Sequence, residues 1–253
     1  TPLFVRSTRS LALSAAGRRL AARAKAVAEA ADAARRALRR QAGQGLEGSL
    51  RITTVPVFAQ TVLAPLLEQF QQRHPALRLE LRLTNRRIDL ARDEVDVAFR
   101  YTARPPADWV AQPVLPVAVR AYAAPGPGRP LTAPAALATQ RGLVFGTGLH
   151  QPLLRWRHDD GRQAEVVVEP AVLADDIGTL LVLAAAGQGI VFAPDFAVRA
   201  AIARGELVDV LPGWRLPIAE GDQVQALTLP TPDAPEAARA LVRFVREALA
   251  PGG

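Results

Sequence analysis

A cluster of glycines at positions 43, 45 and 48 divides the sequence into two stretches of different pattern. Before it, residues 15–41 are rich in alanine and arginine and contain no proline, which is a strong helix-forming composition. After it, short apolar runs alternate with helix-like stretches to the end of the chain. The chain is therefore predicted to consist of a long helix, a flexible glycine junction and an α/β body.

The largest apolar side chains of the predicted helix recur every three or four residues, together with alanines on the same face. This series has a 4-3-4-3-4 spacing and consists of Leu20, Ala24, Val27, Ala31, Ala34 and Leu38. Such spacing is typical of a coiled-coil seam, in which each residue packs between residues of a second helix. We expect the seam to pair with a second chain; the alternative is a helix packed on its own domain.

The body is predicted to contain two α/β units, because strand and helix patterns alternate through it twice. The clearest strand is 77–83, where leucine alternates with charged residues. The other predicted strands are 50–54, 95–100, 120–124, 142–145, 156–157, 165–169, 189–192, 207–211 and 224–229, and the helices are 62–73, 86–92, 176–186, 196–204 and 234–250. A late returning strand and helix predict two lobes joined by crossings near 117–119 and 224–225, with a ligand crevice between them.

Charge is distributed unevenly along the 253 residues, whose formal net charge is +7. Residues 1–48 contain ten basic and three acidic residues, so they carry the whole excess and the remainder is neutral. A basic, hydroxyl-bearing turn at the front consists of Arg6, Ser7, Thr8 and Arg9. Arginine and hydroxyl donors on a hairpin tip suit contact with phosphates or with a DNA minor groove; a solvated turn is the alternative.

Residue counts and motifs exclude or disfavour several classes of site. Cysteine is absent, so disulfides, thiol catalysis and cysteine-ligated metals are excluded. The three histidines lack metal-ligand spacing, and no P-loop, Gly-x-Ser-x-Gly or His-Glu-x-x-His motif occurs. We therefore expect no metal, no cofactor and no catalytic residues. No apolar stretch reaches the roughly 20 residues that span a membrane, no signal peptide is visible, and the absence of methionine predicts a processed chain or part of a longer one.

Candidate ligand-binding residues follow the predicted strands at their carboxyl ends. Ligands bind at these ends of open parallel sheets, and the helix N-termini there suit anions. In the first unit the candidates are Thr54, Val55, Pro56, Val57, Thr84, Arg100 and Tyr101, and in the second they are Phe145, Gly146, Thr147, Asp176 and Pro194. Arg100 is the best candidate to pair with a ligand carboxylate, because guanidinium is a bidentate donor. The alternative for Arg100 is a bridge to Asp96. The alternative for each of the other candidates is a local role in a turn or as a helix cap.

The first 17 residues resemble the end of the winged helix-turn-helix domain of LysR-type transcriptional regulators. In that family a stretch reads Leu-Phe-x-Arg-x-x-Arg-x-x-x-Leu-Thr-x-x-Gly, and residues 3–17 of this sequence match it, with Ser14 in the threonine position. Further segments similar to the family are 48–52, 63–67, 70–75, 96–100, 186–190 and Pro194. The resemblance therefore extends over nearly the whole chain.

This resemblance implies a cytoplasmic, DNA-binding regulator that forms a homodimer or homotetramer and whose effector domain is similar to type 2 periplasmic binding proteins. A small molecule, such as a carboxylate, would bind between its two lobes. The implied parts are a wing remnant (1–13), a linker helix for dimerisation (14–42), a hinge (43–48), lobe I (49–119 and 223–253) and lobe II (120–222). The helix that reads the major groove is expected to be missing, so DNA binding by this fragment is expected to be impaired. A solute-binding protein or an enzyme on the same two-lobed fold is the alternative.

Overall fold

The computed structural model describes residues 2–6, 11–17, 19–21, 23–24, 27, 46–86, 88–90, 93–146, 148, 151–230 and 234–250. The chain separates into two compact units, Thr1–Glu47 and Gly48–Gly253. Seven of the predicted functional residues lie outside the described residues, namely Ser7, Thr8, Arg9, Ala31, Ala34, Leu38 and Thr147.

The described strands, in chain order, are β1 (Phe4–Arg6), β2 (Leu11–Leu13), β3 (Gly48–Thr54), β4 (Leu77–Leu83), β5 (Val97–Tyr101), β6 (Val110–Pro116), β7 (Val119–Ala123), β8 (Gly142–Phe145), β9 (Leu153–His158), β10 (Gln163–Val167), β11 (Pro170–Ala174), β12 (Ile190–Pro194), β13 (Val208–Asp209), β14 (Trp214–Arg215) and β15 (Gln223–Thr228). The helices of the second unit are α1 (Pro56–Phe58), α2 (Ala64–Arg73), α3 (Ile177–Ala185), α4 (Asp195–Ala203) and α5 (Glu236–Ala248), with a π-helical turn at Ala59–Leu63 and a 3₁₀ helix at Pro134–Thr139.

The first unit begins with the predicted hairpin. Strands β1 and β2 pair antiparallel, with Phe4 opposite Leu13. Helical backbone then starts after Ser14, whose hydroxyl oxygen accepts a hydrogen bond from the Gly17 amide at 2.9 Å. A serine in this position satisfies one of the amides that the first helical turn leaves unpaired. Ser14 is therefore the N-cap of this helical segment.

The predicted seam lies on this helical segment, and three of its residues are described. Leu20 and Val27 are 50% and 70% exposed in the single chain, and Ala24 is also exposed. Large apolar side chains at such exposure gain free energy when a partner covers them. Exposure of this kind is what an unpaired seam requires.

The second unit contains two five-stranded sheets with the same arrangement of strands. Sheet I has the order β4-β3-β5-β15-β6, in which β3 is parallel to β4 and β5, and β15 is antiparallel to β5 and β6. Sheet II has the order β11-β8-β12-β7-β13, in which β8 is parallel to β11 and β12, and β7 is antiparallel to β12 and β13. We call the parts built on these sheets lobe I and lobe II. The predicted two-lobed α/β fold is confirmed.

Helices cover sheet I because they present regular apolar stripes to it. The helical run from α1 through the π-helical turn to α2 begins with Pro56, which lacks the amide that a first turn leaves unpaired. This run therefore starts six residues before the predicted helix. In α5 the buried residues Ala238, Leu241, Val242 and Val245 follow helical spacing. Rings of Phe70 and Phe244 lie 5.5 Å apart between α2 and α5.

Lobe II adds a small antiparallel sheet of order β10-β9-β14. Trp156 of β9 is 1% exposed, and its ring packs edge-on against Phe192 of β12 at 5.8 Å. This contact ties the small sheet to the core of sheet II. Strands β9 and β10 pair antiparallel around Asp160 and Gly161. Strand β9 is longer than the predicted strand 156–157, and β10 lies two residues before the predicted strand 165–169.

Two chain segments connect the lobes, and they run side by side. The amide of Val117 donates to the carbonyl of Asp222 at 2.8 Å, and that of Leu216 donates to the carbonyl of Val119 at 2.8 Å. The first crossing lies where it was predicted. The second was wrongly predicted at 224–225, which lies inside β15 because Val224 pairs with Tyr101 and with Leu115.

Two other predictions of local structure were wrong. Residues 86 and 88–90, which lie in the predicted helix 86–92, are not helical. Leu90 is instead buried in a cluster with Ala98 and Leu227. Strand β6 was missed because Pro113 and Pro116 interrupt its pattern, and a register shift accommodates the irregularity. No helix among the described residues is long and apolar enough to cross a membrane.

Candidate ligand-binding crevice

The lobes meet at the carboxyl ends of their parallel strands. The side-chain amide of Asn85, which follows β4, donates a hydrogen bond to the carbonyl of Asp175, which follows β11, at 2.7 Å. The side-chain oxygen of Gln60, in the π-helical turn, lies 3.4 Å from the position that a Cβ on Gly178 would take. Asn85, Asp175 and Gln60 are exposed, so these contacts form a rim. We call the region from this rim inward, between the strand ends, the crevice.

An aromatic contact joins the lobes on the inner side of the crevice. Phe58 of α1 is fully buried, and its ring lies 5.6 Å from that of Phe196 in α4, edge-on. The same ring lies 5.9 Å from that of Phe99 in β5. Edge-on and tilted aromatic pairs add to the free energy gained by burying their area. This cluster therefore forms an apolar floor that belongs to both lobes.

Thr54 ends β3 with none of its surface exposed. Its carbonyl accepts a hydrogen bond from the amide of Thr84 at 3.0 Å, so two predicted residues are joined. Its hydroxyl oxygen has no hydrogen-bond partner among the described residues. A buried polar atom in that state costs about 1–3 kcal/mol, and a bound ligand or water removes the cost. Val55, Pro56 and Val57 follow as the N-cap and first turn of α1, with Val57 buried.

Arg100 lies in lobe I with two acceptors from its own protein. One guanidinium nitrogen, Nη1, donates to the carbonyl of Thr84, and the other, Nη2, donates to the hydroxyl of Thr53 at 2.7 Å. The third, Nε, has no partner among the described residues. Burial lowers the pKa of Arg100 to about 10. This cation therefore lies beside the strand ends, and none of the described carboxylates pairs with it.

The alternative partner of Arg100, Asp96, is occupied by a different arginine. Asp96 accepts hydrogen bonds from the Arg51 amide at 2.7 Å and from its guanidinium at 3.2 Å. Arg51 also contacts Glu94 at 3.1 Å. The bridge from Arg100 to Asp96 is therefore not formed.

Tyr101 and Arg100 point to opposite faces of sheet I, because successive side chains of a strand alternate. Tyr101 shares its face with Phe99 and Thr54, which are register partners. The hydroxyl oxygen of Tyr101 is buried and has no hydrogen-bond partner among the described residues. Burial, and then the charge of Asp195, raise the pKa of this hydroxyl above its usual range. It therefore stays protonated and can donate a hydrogen bond at neutral pH.

Asp195 begins α4 beside the first crossing between the lobes. Its amide donates to the carbonyl of Ala118 at 2.9 Å, and its Oδ1 accepts from the amides of Ala118 at 3.3 Å and Phe196 at 2.9 Å. Phe196 and Gln60 were not predicted for the site, whereas Asn85 and Asp195 directly follow the predicted site residues Thr84 and Pro194 at the ends of predicted strands. The sequence signal for Asp195 and Phe196 was their place directly after Pro194, at the end of a strand.

The predicted residues of lobe II have different local roles. Phe145 ends β8 and is 40% exposed, and the Gly146 amide donates to the carbonyl of Ala174 at 2.8 Å. Asp176 is the N-cap of α3, where one oxygen accepts from both the amide and the hydroxyl of Thr179 at 2.8 Å. Pro194 is buried at the end of β12. The carboxylate of Asp176 thus caps the N-terminus of α3, where the sequence analysis had expected an anionic ligand.

The structure brings most of the predicted residues to the strand ends of their own lobe. Thr54, Thr84 and Arg100 are connected by hydrogen bonds, whereas within the described part of the chain Phe145 and Asp176 form no hydrogen bond with them. Among the described residues, no group of three or more histidine, aspartate or glutamate side chains is placed to hold a metal ion.

Residues 43–250 match the protein-family model of the LysR substrate binding domain. An HTH-type transcriptional regulator of Xanthomonas campestris pv. campestris is 29% identical over 231 residues, covering 88% of this chain and 67% of that protein. The HTH-type transcriptional regulator YhjC of Escherichia coli is 30% identical over 231 residues, covering 85% of this chain and 73% of that protein. In two other relatives the matched stretch spans only 62% and 56% of the protein's length.

Among solved structures, the LysR-type transcriptional regulator CrgA of Neisseria meningitidis is similar over 99% of this chain and 85% of its own. The TM-score is 0.71 and the sequence identity 25%. Because the similarity covers nearly the whole chain, it includes both compact units.

Proposed function

This chain belongs to the LysR family of transcriptional regulators, and from that membership we propose that it senses a small molecule and thereby controls transcription. The alternatives, a solute-binding protein or an enzyme on the same fold, are not favoured, because the relatives carry the names of regulators. We also propose that the protein acts in the cytoplasm.

The observation that carries the proposal is the set of unpartnered polar atoms at the strand ends. Among the described residues, the hydroxyls of Thr54 and Tyr101 and the Nε of Arg100 are buried without hydrogen-bond partners. They lie where ligands bind in open α/β sheets, next to a junction of two lobes. A ligand that reaches these atoms removes their desolvation cost, and this supports an effector site in the crevice.

We propose a small organic acid as the effector. Arg100 supports this class, because its charge lacks an acidic partner among the described residues and its pKa is lowered by burial. A carboxylate near the strand ends of lobe I would compensate that charge. Because Nη1 and Nη2 each donate one hydrogen bond within the protein, Nε and the second N–H of each Nη are the donors left for direct contact with a ligand.

Effector binding would act on DNA through the arrangement of the lobes. The crossings at 117–118 and 216–222 are the points about which the lobes can turn, and Asn85 and Gln60 touch lobe II only at the rim. A ligand shifts such an equilibrium by its preference for one arrangement. The basic residues of the first 48 positions, with Arg6, Ser7, Thr8 and Arg9, support DNA contact, and the seam supports self-association.

The ligand arm of the proposal is tested by calorimetric titration with a panel of small carboxylic acids, after a thermal-shift screen. Thr54→Val removes the unpartnered hydroxyl at nearly constant shape, so the melting temperature should hold and the affinity fall about tenfold, the equivalent of one hydrogen bond. Thr228→Val is the matched control, a buried threonine of β15 away from the crevice. Equal affinity of the Thr54 variant and the wild type would remove Thr54 from the site.

The DNA arm separates a regulator from a solute carrier. The chain should be retained on immobilised double-stranded DNA at low salt and elute as salt rises, because phosphate contacts release counterions. Arg6→Ala with Arg9→Ala should elute at lower salt than the wild type. Arg78→Ala with Arg243→Ala removes the same charge from exposed positions of the body and should leave retention unchanged. Retention that depends equally on both pairs would contradict the proposed contact.

A further inference from the structure

The inner crevice contains an unpartnered hydrogen-bond donor, and an unpartnered acceptor lies on the other side of it. The donor is the buried hydroxyl of Tyr101, in lobe I. The acceptor is Oδ2 of Asp195, in lobe II, to which no described residue donates, since both hydrogen bonds to this carboxylate reach Oδ1. Each atom is left with a desolvation cost or an unused lone pair.

These two groups lie on opposite sides of the same aromatic floor. Tyr101 is two residues beyond Phe99 on one face of β5, and Asp195 directly precedes Phe196. The ring of Phe58 packs against both phenylalanines, at 5.9 and 5.6 Å. Asp195 is close enough to raise the pKa of the Tyr101 hydroxyl, although the two are not hydrogen bonded. A small polar group between them would therefore touch both lobes.

The chemistry of the pair restricts which group can fill the gap. A carboxylate accepts from Tyr101 but is repelled by Asp195, and an ammonium donates to Asp195 but cannot accept from Tyr101. A hydroxyl does both, because it carries one donor and two acceptor lone pairs. Resting on the proposed function, we propose that the effector is a hydroxylated organic acid whose hydroxyl bridges Tyr101 of lobe I and Asp195 of lobe II.

This bridge assigns the two ends of the ligand to different parts of the crevice. The carboxylate end belongs to the face of sheet I that bears Arg100, and the hydroxyl end belongs beside α4. A group held by both lobes at once favours the arrangement in which they are close. The hydroxyl is then the part of the ligand that distinguishes an effector from an acid that merely binds.

The test compares pairs of acids that differ by one hydroxyl, such as malate with succinate and 4-hydroxybenzoate with benzoate. Dissociation constants are measured by calorimetry for the wild type, Tyr101→Phe and Tyr122→Phe. The wild type should bind the hydroxylated member of at least one pair about tenfold more tightly, one hydrogen bond's worth. In Tyr101→Phe that ratio should fall to about one, with binding of the plain acid and the melting temperature retained. Tyr122→Phe changes the other tyrosine of the chain, on whose hydroxyl the charge of Asp195 also acts, and it should keep the preference because the bridge is assigned to Tyr101.

The possible failures are distinguishable. Acids that bind without any preference for the hydroxyl overturn the bridge, with a water molecule as the occupant of the gap, and leave the proposed acid effector standing. A preference that persists in Tyr101→Phe also overturns the bridge. If no acid of any pair binds to the wild type, both the bridge and the acid class fail.

Discussion

Individual residues show that the type of a side chain does not determine whether it has a hydrogen-bond partner once it is buried. Asp176 has the residue type and the position of a helix cap, and it is one. Thr54 lies one position before Val55, the N-cap of α1, and its hydroxyl is buried without a partner among the described residues. Residue type predicts what a side chain can bond to, but the partner depends on distances that only the folded chain sets. Tyr101 owes its environment to Asp195, which lies 94 positions further along the chain and in the other lobe.

Both tyrosines of the chain should resist ionisation while it is folded. Burial raises the pKa of Tyr101 and of Tyr122, with Asp195 adding to the first and Asp209 to the second. Since the folded pKa of each exceeds the unfolded value of about 10, their contribution to stability is complete below pH 10 and is lost as pH rises further. Phenolate absorbance near 295 nm should therefore appear together with loss of far-ultraviolet circular dichroism.

The control for this titration is the protein unfolded in urea, whose tyrosines should ionise near pH 10. Phenolate absorbance near pH 10 from a chain that keeps its circular dichroism would show that the hydroxyls are accessible. It would also remove the buried donor on which the Tyr101 bridge depends.

At the scale of elements, the periodic segments were predictable and the irregular ones were not. Strand 77–83 was predicted to its exact ends, and 142–145 likewise, because alternation or flanking glycine and polar residues mark them. Helix α1 was missed, because its sequence of a proline followed by two apolar residues resembles a loop. Its helical turn is evident only in the folded chain, where Phe58 is fully buried. The edge position of β4 was also invisible, and it leaves Leu81 and Leu83 exposed despite the alternation.

Arg100 ties the ends of three strands together, and this predicts its effect on stability. Its guanidinium, on β5, holds the carbonyl of Thr84 after β4 and the hydroxyl of Thr53 in β3. Arg100→Ala should lower the free energy of unfolding by about 2 kcal/mol, because charge-assisted hydrogen bonds of about 1.5–3 kcal/mol each are lost and the cost of burying the cation is relieved. Urea denaturation followed by circular dichroism measures the change.

The matched control for this change is Arg86→Ala, since Arg86 is an exposed arginine two residues beyond Thr84. Its effect should stay within about 0.5 kcal/mol. Equal stability of Arg100→Ala and the wild type would mean that the strand ends hold their positions without this tie. A loss of ligand affinity in the variant could then be assigned to the ligand contact alone.

For the whole molecule, the change of pattern at the glycine cluster corresponds to the division between the two compact units. That division falls after Glu47. The two-lobed body follows from twice-repeated strand and helix patterns, and the repeat is visible again in the matching strand orders of the sheets. The crevice was predicted from topology alone, whereas its rim and its aromatic floor depend on Gln60, Asn85 and Phe196, whose neighbours come from the opposite lobe. The lobe boundaries at 119 and 223 stay predictions.

Self-association is the property of the whole molecule that the seam predicts. Leu20 and Val27 are half or more exposed in the single chain, so pairing would bury apolar surface that nothing in the described chain covers. Leu20→Asp with Val27→Asp should lower the mass found by multi-angle light scattering toward that of one chain, since charges at seam positions cannot be desolvated. Ala15→Asp with Ala22→Asp adds the same two charges at the same seven-residue separation on the side away from the seam, and should leave the mass unchanged. An oligomer that survives the seam substitutions would place self-association elsewhere and leave this helix as part of its own unit.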